Sequence, residues 1–174
     1  LADQIALMEE GKIVQCAPPR ELYNHPADRF GGWFLGNPGM VFFDAALSAN
    51  GASRVLDSPL FPAPVAVVGS DATERDVTIG IRPENIRVST EPSPESVPVT
   101  LERKTVQIGG QYLVALDVGG HGFKAKVAPS VGERLPGSGI VNVMLPLKHV
   151  SLFDAAGNRI AASLHPAGSA GSAP

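Results

Sequence analysis

The chain has 174 residues, 44% of them hydrophobic and 18% charged, which suits a soluble globular core the size of one ordinary domain with extra pieces at its ends. A net charge of −3 and a pI near 5.8 argue against a nucleic-acid binder, which needs a basic footprint to neutralise phosphates. The longest apolar runs, such as Val65 to Val68, fall far short of a membrane-spanning helix. No basic leader with an apolar stretch opens the chain, so nothing points to export, and the lone Cys16 leaves no internal disulfide framework.

With 19 Gly and 16 Pro the chain is punctuated every few residues, so short strands joined by turns are expected rather than long helices. Ile5 to Ala17 reads as a hairpin: Ile5-Ala6-Leu7-Met8 is apolar, Glu9-Glu10-Gly11-Lys12 turns, and Ile13-Val14 resumes. Continuous apolar runs suggest strands covered on both faces, hence membership of a larger sheet. Pro18-Pro19 followed by Arg20-Glu21-Leu22-Tyr23 gives a short helix stopped by Asn24 and Pro26. A second helix is expected from Pro26, with Phe30, Trp33 and Phe34 on one face and Gly36 as its stop. That aromatic face reads either as core packing or as a surface docking the next domain. Gly31-Gly32 inside the helix costs about 1 kcal/mol per residue against alanine. Asn37-Pro38-Gly39 marks a domain boundary.

Beyond it the period becomes two. Val41, Phe43 and Ala45 alternate with Phe42 and Asp44, Asn50-Gly51 supplies a tight turn, and Ser53 to Leu56 returns. Pro59 to Pro64 is an irregular connection into Val65 to Val68. Val77, Ile79 and Ile81 alternate cleanly until Pro83 ends the strand, and Ile86 and Val88 extend beyond the kink. A proline-rich loop, Ser89 to Ser96, precedes the strand of Val97, Val99 and Leu101. Tyr112 to Val118, Gly119-Gly120 and Phe123 to Val127 form the clearest hairpin, with Lys124 and Lys126 facing water. Val141 to Leu145 and Val150 to Phe153 are the last strands, and from Ala161 onward an Ala-Ser-Gly-Pro composition points to a disordered tail. So many half-apolar ribbons favour a small Greek-key barrel or sandwich, a mainly β class.

No catalytic constellation emerges. One cysteine and four widely separated histidines, His25, His121, His149 and His165, do not spell a zinc site, which needs about four converging ligands. There is no Gly-x-Ser-x-Gly elbow and no G-x-x-x-x-G-K-[ST] phosphate cradle. One polar feature stands out: Arg82-Pro83-Glu84 leaves a cation and an anion flanking the corner at the end of a strongly patterned strand. It is either a solvated turn or an anchor between the barrel and a partner domain.

The order of these motifs resembles a known family. Leu1-Ala2-Asp3-Gln4-Ile5-Ala6-Leu7-Met8-Glu9-Glu10-Gly11-Lys12-Ile13-Val14-Gln15 is similar to the last strands of an ABC ATPase domain. Pro19 to Phe30 and Phe34-Leu35-Gly36-Asn37-Pro38-Gly39-Met40 resemble the link from that domain to the regulatory domain of sugar- and glycerol-phosphate-type importers. Thr78-Ile79-Gly80-Ile81-Arg82-Pro83-Glu84-Asn85-Ile86 resembles the signature of the oligosaccharide-binding-type barrel called TOBE, and Val150-Ser151-Leu152-Phe153-Asp154 the strand closing it. Gly31-Gly32 and Val41 depart from the family pattern, which usually has a small apolar pair and an asparagine there, and this implies a looser link.

The resemblance implies an OB-fold-like Greek-key barrel (a TOBE domain) preceded by a β-hairpin and short helices. It places an ATPase-domain remnant with linker helices in 1–36, the barrel in 37–160 and a tail in 161–174. ATP and Mg²⁺ would bind a domain upstream, so no catalytic, cofactor or metal residue is assigned to this chain. It implies a second copy of the subunit (a homodimer), permease subunits and, in some members, a regulatory protein as partners. The location implied is cytoplasmic, peripheral on the inner face of the membrane. Asn37, Pro38 and Met40 in the hinge link and Arg82 and Glu84 in the signature turn are nominated as interface positions. A small-ligand module for an oxyanion or sugar is the alternative. A nucleic-acid-binding barrel finds support only in Lys124 and Lys126 beside Phe123. A hairpin separated from its sheet is expected to self-associate or swap between copies.

Overall fold

The computed structural model of the chain describes residues 2–50, 53–69 and 76–167. The expected hairpin forms as β1 (Ile5–Glu9) and β2 (Lys12–Ala17), turning through Glu10 and Gly11 at φ 47° and 80°, the left-handed values of a tight hairpin turn. It is a two-stranded sheet by itself. Only one face is covered: Leu7 and Ala17 are buried with Leu22, whereas Met8 and Ile13 stay 56% and 62% exposed. The apolar run therefore did not signal two-sided cover within this chain.

Two short helices follow, α1 (Pro19–Asn24) and α2 (Arg29–Phe34). α2 starts three residues after Pro26 because Asp28 caps it, accepting from the Gly31 N–H at 2.8 Å. Its buried face is the glycine pair rather than the aromatic one. A Cβ on Gly31 would sit 3.1 Å from Leu7 Cδ2, and one on Gly32 3.1 Å from Met40 Sδ. The helix backbone thus lies directly on its neighbours, and the link is tight where the resemblance implied looseness. Trp33 and Phe34 turn outward at 62% and 56% exposure, while Phe30 half-buries and stacks on Phe34 at 5.4 Å.

The remaining strands are β3 (Val41–Asn50), β4 (Ser53–Asp57), β5 (Val65–Val68), β6 (Asp76–Ile81), β7 (Arg87–Ser89), β8 (Val97–Val106) and β9 (Tyr112–Val118). After them come β10 (His121–Val127), β11 (Gly139–Met144), β12 (Ser151–Phe153), β13 (Arg159–Ile160) and β14 (Ser163–Pro166). A one-turn helix, α3 (Pro129–Gly132), sits between β10 and β11. Gly51 of the expected Asn50-Gly51 turn lies outside the described residues.

Two antiparallel sheets result, ordered β13-β12-β6-β3-β4-β5-β14 and β10-β9-β8-β11-β7. In the first, β13 and β14 occupy opposite edges although only Ala161 and Ala162 separate them in sequence. So short a connection reaches at most ~10 Å, so the sheet must curl until its edges approach. The inner faces share one core, with Leu56, Ile79, Ile81, Leu101, Leu116 and Val141 each no more than 1% exposed. The class is mainly β, with sheets curled as half-barrels in the manner of an OB-type barrel.

The chain passes between sheets twice, through 3₁₀ turns at Pro83–Asn85 and Leu147–His149. Each passage follows or begins at a proline that cannot continue the ladder. The tail expectation fails for its first part: Ser163–Pro166 pairs with β5, and half-buried Leu164 packs on the core. Val65, Ala66 and Val67 are a buried edge that needs a partner strand, a demand that the composition of the tail does not show. Among the described residues no helix is long and apolar enough to cross a membrane.

Candidate functional site

Arg82 stands where β6 leaves the first sheet, and it is only 2% exposed. A buried guanidinium is costly unless every donor finds an acceptor. Among the described residues, the acceptors of its side chain are all in the linker. Nη2 and Nε donate to the Tyr23 carbonyl at 2.7 and 3.2 Å, and Nη1 donates to the Gly32 carbonyl at 2.7 Å and to that of Leu35. Tyr23 and Leu35 lie at the ends of α1 and α2, where carbonyls lack helical donors and the helix dipole is negative. One cation therefore closes two helix ends against the barrel.

The guanidinium also lies over the Tyr23 ring, 3.9 Å from its centroid, a cation–π contact. The Tyr23 hydroxyl donates to Glu84 Oε1 at 2.5 Å. Burial, then the hydrogen bond to Glu84 and its charge, push the Tyr23 phenol up to about 12, with Arg82 pulling the other way. Burial lowers the Arg82 pKa, with Tyr23 and Glu84 opposing. The corner is thus neither of the simple pictures that its sequence suggests: Arg82 and Glu84 meet on Tyr23.

Met40 is 4% exposed, and its N–H donates to the Gly32 carbonyl at 3.0 Å. Its sulfur fills the space a Cβ would need on Gly80, 2.7 Å away, beside Phe153 Cε2 at 2.8 Å. Pro38, after a cis Asn37–Pro38 bond, is half-buried, and Asn37 and Glu84 are exposed. Met40 and Arg82 thus meet around Gly32, Glu84 joins them through Tyr23, and Asn37 stays on the outside.

A second seam was not read from the sequence. The Arg159 N–H donates to the Ala27 carbonyl at 2.8 Å, the Arg29 N–H to the Gly157 carbonyl at 2.9 Å, and Asp28 bridges Asn158. On the other side of the same segment Gln15 takes the Ala27 N–H at 2.9 Å and donates to the His25 carbonyl at 3.1 Å. These partners are backbone groups, which every residue type carries, so no motif announces them.

Among the described residues no cluster of three or more His, Cys, Asp or Glu could hold a metal ion. A cleft of about 880 Å³ beside the seam is lined by Arg29, Asp44, Asp57, Asp76 and Thr78, and a second of about 460 Å³ by Phe61, Pro94, Met144 and Leu164. Arg29 reaches Thr78 Oγ1 at 3.4 Å across the first.

Half-barrel sheets clamped to two short helices that follow a hairpin agree with the fold that the sequence resemblance implies, and relatedness points the same way. No protein-family model matches the chain. Over 167 residues, 92% of its length, it is 32% identical to an sn-glycerol-3-phosphate import ATP-binding protein of Agrobacterium fabrum. It is 35% identical over 142 residues, 77% of the chain, to the osmoprotective compounds uptake ATP-binding protein of Synechocystis sp.. An uncharacterised ABC transporter ATP-binding protein of Sinorhizobium fredii is 35% identical over 127 residues, 67% of the chain. The chain is a homologue of the ATP-binding subunits of ABC importers. It spans only 42%, 38% and 33% of these three relatives.

Proposed function

We propose that the chain is the regulatory, dimer-forming part of the ATP-binding subunit of an ABC importer for sugars or related solutes. Its barrel is a TOBE domain, and ATP and Mg²⁺ bind a domain upstream of the hairpin. The observation behind this reading is the Arg82 clamp, whose hydrogen bonds join the end of a barrel strand to both linker helices and offer a route from one side to the other. Partners are a second copy of the subunit and, through the upstream domain, the permease subunits, on the cytoplasmic face of the membrane. Asn37 and Glu84, exposed beside the clamp, are the nominated positions open to a partner, with Pro38, Met40 and Arg82 supporting them from within.

Sedimentation equilibrium tests the pairing. A dimer that persists in the Met8→Glu, Ile13→Lys double variant but weakens in Asn37→Arg or Glu84→Arg supports a barrel-side interface. A dimer lost only with the hairpin substitutions supports self-association through the exposed hairpin face instead, and a monomer throughout overturns the dimer reading.

The small-ligand alternative has the Arg29–Thr78 cleft in its favour. Molybdate, sulfate or a sugar phosphate added at millimolar concentration should leave the thermal midpoint unchanged under the regulatory reading, whereas a saturable rise supports the alternative.

A further inference from the structure

Ala27 has both backbone groups engaged, one on each side. Its carbonyl faces the barrel and accepts from the Arg159 N–H at 2.8 Å, while its N–H faces the hairpin and donates to Gln15 Oε1 at 2.9 Å. Gln15 Nε2 completes the pattern by donating to the His25 carbonyl at 3.1 Å. One side-chain amide therefore pairs with the C=O of residue 25 and the N–H of residue 27, as the peptide group of a neighbouring strand would. On the opposite edge the Arg29 N–H donates to the Gly157 carbonyl at 2.9 Å, and Asp28 bridges Asn158. Residues 25–29 are thus the middle layer of a ladder that runs from β2 to the closing turn of the barrel.

We propose that Gln15 is a positioning residue whose side-chain amide forms the rung locking the hairpin to the linker, so that hairpin, linker and barrel turn as one body. Among the described residues the hairpin shares no ladder with either barrel sheet. Its apolar hold on the linker is small, with Leu7, Ala17 and Leu22 at its centre and Val14, Phe30 and Leu35 around them. Two-stranded hairpins are marginal alone, so a two-pronged polar contact decides how rigidly this one is held. The residue type is specific. Methionine has the length without a donor and with only a weakly accepting sulfur. Glutamate can accept from Ala27 but sets a carboxylate against the His25 carbonyl. Asparagine is one methylene short. If the hairpin ends an ATPase domain, the rung is where displacement of that domain reaches the barrel; this consequence rests on the proposed function, and the rung itself does not.

Amide exchange and residual dipolar couplings of the ¹⁵N-labelled chain test it. In the wild type one alignment tensor should fit residues 5–17 and 77–153 together, with the Ala27 amide protected. Gln15→Met should speed Ala27 exchange on the order of tenfold and lower the tensor magnitude of the hairpin relative to the barrel. Gln15→Glu should keep Ala27 protected yet still uncouple the tensors, because only the His25 prong is lost. Unchanged exchange and a common tensor in Gln15→Met show a packing role alone and overturn the proposal. Should Gln15→Met melt the hairpin, Gln15→Glu decides: a common tensor there overturns the rung, and separate tensors support it. A monomer in the sedimentation experiment would sink the dimer reading and leave this result standing.

Discussion

Arg82 holds Tyr23 twice, donating from Nη2 to its carbonyl at 2.7 Å while the guanidinium lies 3.9 Å from the centre of its ring. The backbone contact fixes the end of α1, and the ring contact shields the cation that makes it. Glu84, two residues along, then takes the hydroxyl of the same tyrosine at 2.5 Å. The strand-to-turn corner of the barrel and the last turn of the first linker helix are consequently one structural unit.

Replacing Arg82 by alanine strands the Tyr23 and Leu35 carbonyls at the two helix ends, while the Gly32 carbonyl keeps the Met40 N–H. The expected loss is about 2–4 kcal/mol, since each buried acceptor left unsatisfied costs about 1–3 kcal/mol. Arg82→Lys should recover less than half, since one ammonium cannot reproduce a planar fork reaching three carbonyls. Urea unfolding measures both, and losses under about 1 kcal/mol would show the clamp to be incidental.

The phenol of Tyr23 titrates at about 12 in the folded chain against 10.0 for the free group. Between those values the unfolded chain binds fewer protons than the folded one, so the contribution is present below pH 10 and is lost as pH rises toward 12. Tyr23→Phe should flatten the fall of stability in that window relative to wild type. Parallel unfolding curves for the two proteins from pH 9 to 12 would contradict the assignment.

Gly80 and Gly137 offer a paired comparison. A methyl group on Gly80 meets Met40 Sδ at 2.7 Å and Phe153 Cε2 at 2.8 Å, whereas one on Gly137 meets no atom of the described residues within 4 Å beyond its chain neighbours. Gly80→Ala should cost about 1–3 kcal/mol by overpacking, and Gly137→Ala should stay within about 0.5 kcal/mol of wild type. Thermal unfolding of the two variants gives the ordering directly.

Ending the chain at Ile160 removes β14 and bares the edge of β5, where Val65, Ala66 and Val67 are at most 6% exposed. A fall in melting temperature of about 5 °C with increased light scattering is expected, because an unpaired apolar edge templates association. An unchanged midpoint would return residues 161–166 to the role of a dispensable tail.

Much of the barrel is legible in the sequence because a half-buried strand must alternate. Val77, Ile79 and Ile81 carry that alternation in the sequence, although Thr78 and Gly80 on the other face are buried as well, and the stop at Pro83 follows from the missing N–H of proline, as the hairpin through Gly119-Gly120 follows from its turn glycines. The strand of the tail was not legible, since Ser163 to Pro166 has little alternation of its own and pairs because β5 leaves an edge open. The aromatic face of α2 misled for a related reason: periodicity identifies an apolar stripe, but two glycines let the backbone itself approach, and the stripe turned outward.

By itself the sequence determined the fold class, the order of most strands, the corner at Arg82-Pro83-Glu84 and the resemblance to importer ATPase subunits, all of which depend on local pattern. The tertiary structure alone decided what that corner does. The acceptors for Arg82 are carbonyls of residues 23, 32 and 35, and those of Gln15 and Arg159 are backbone groups of residues 25 and 27. Backbone groups are the same in every residue, so only folding selects which of them a buried cation or an amide will find.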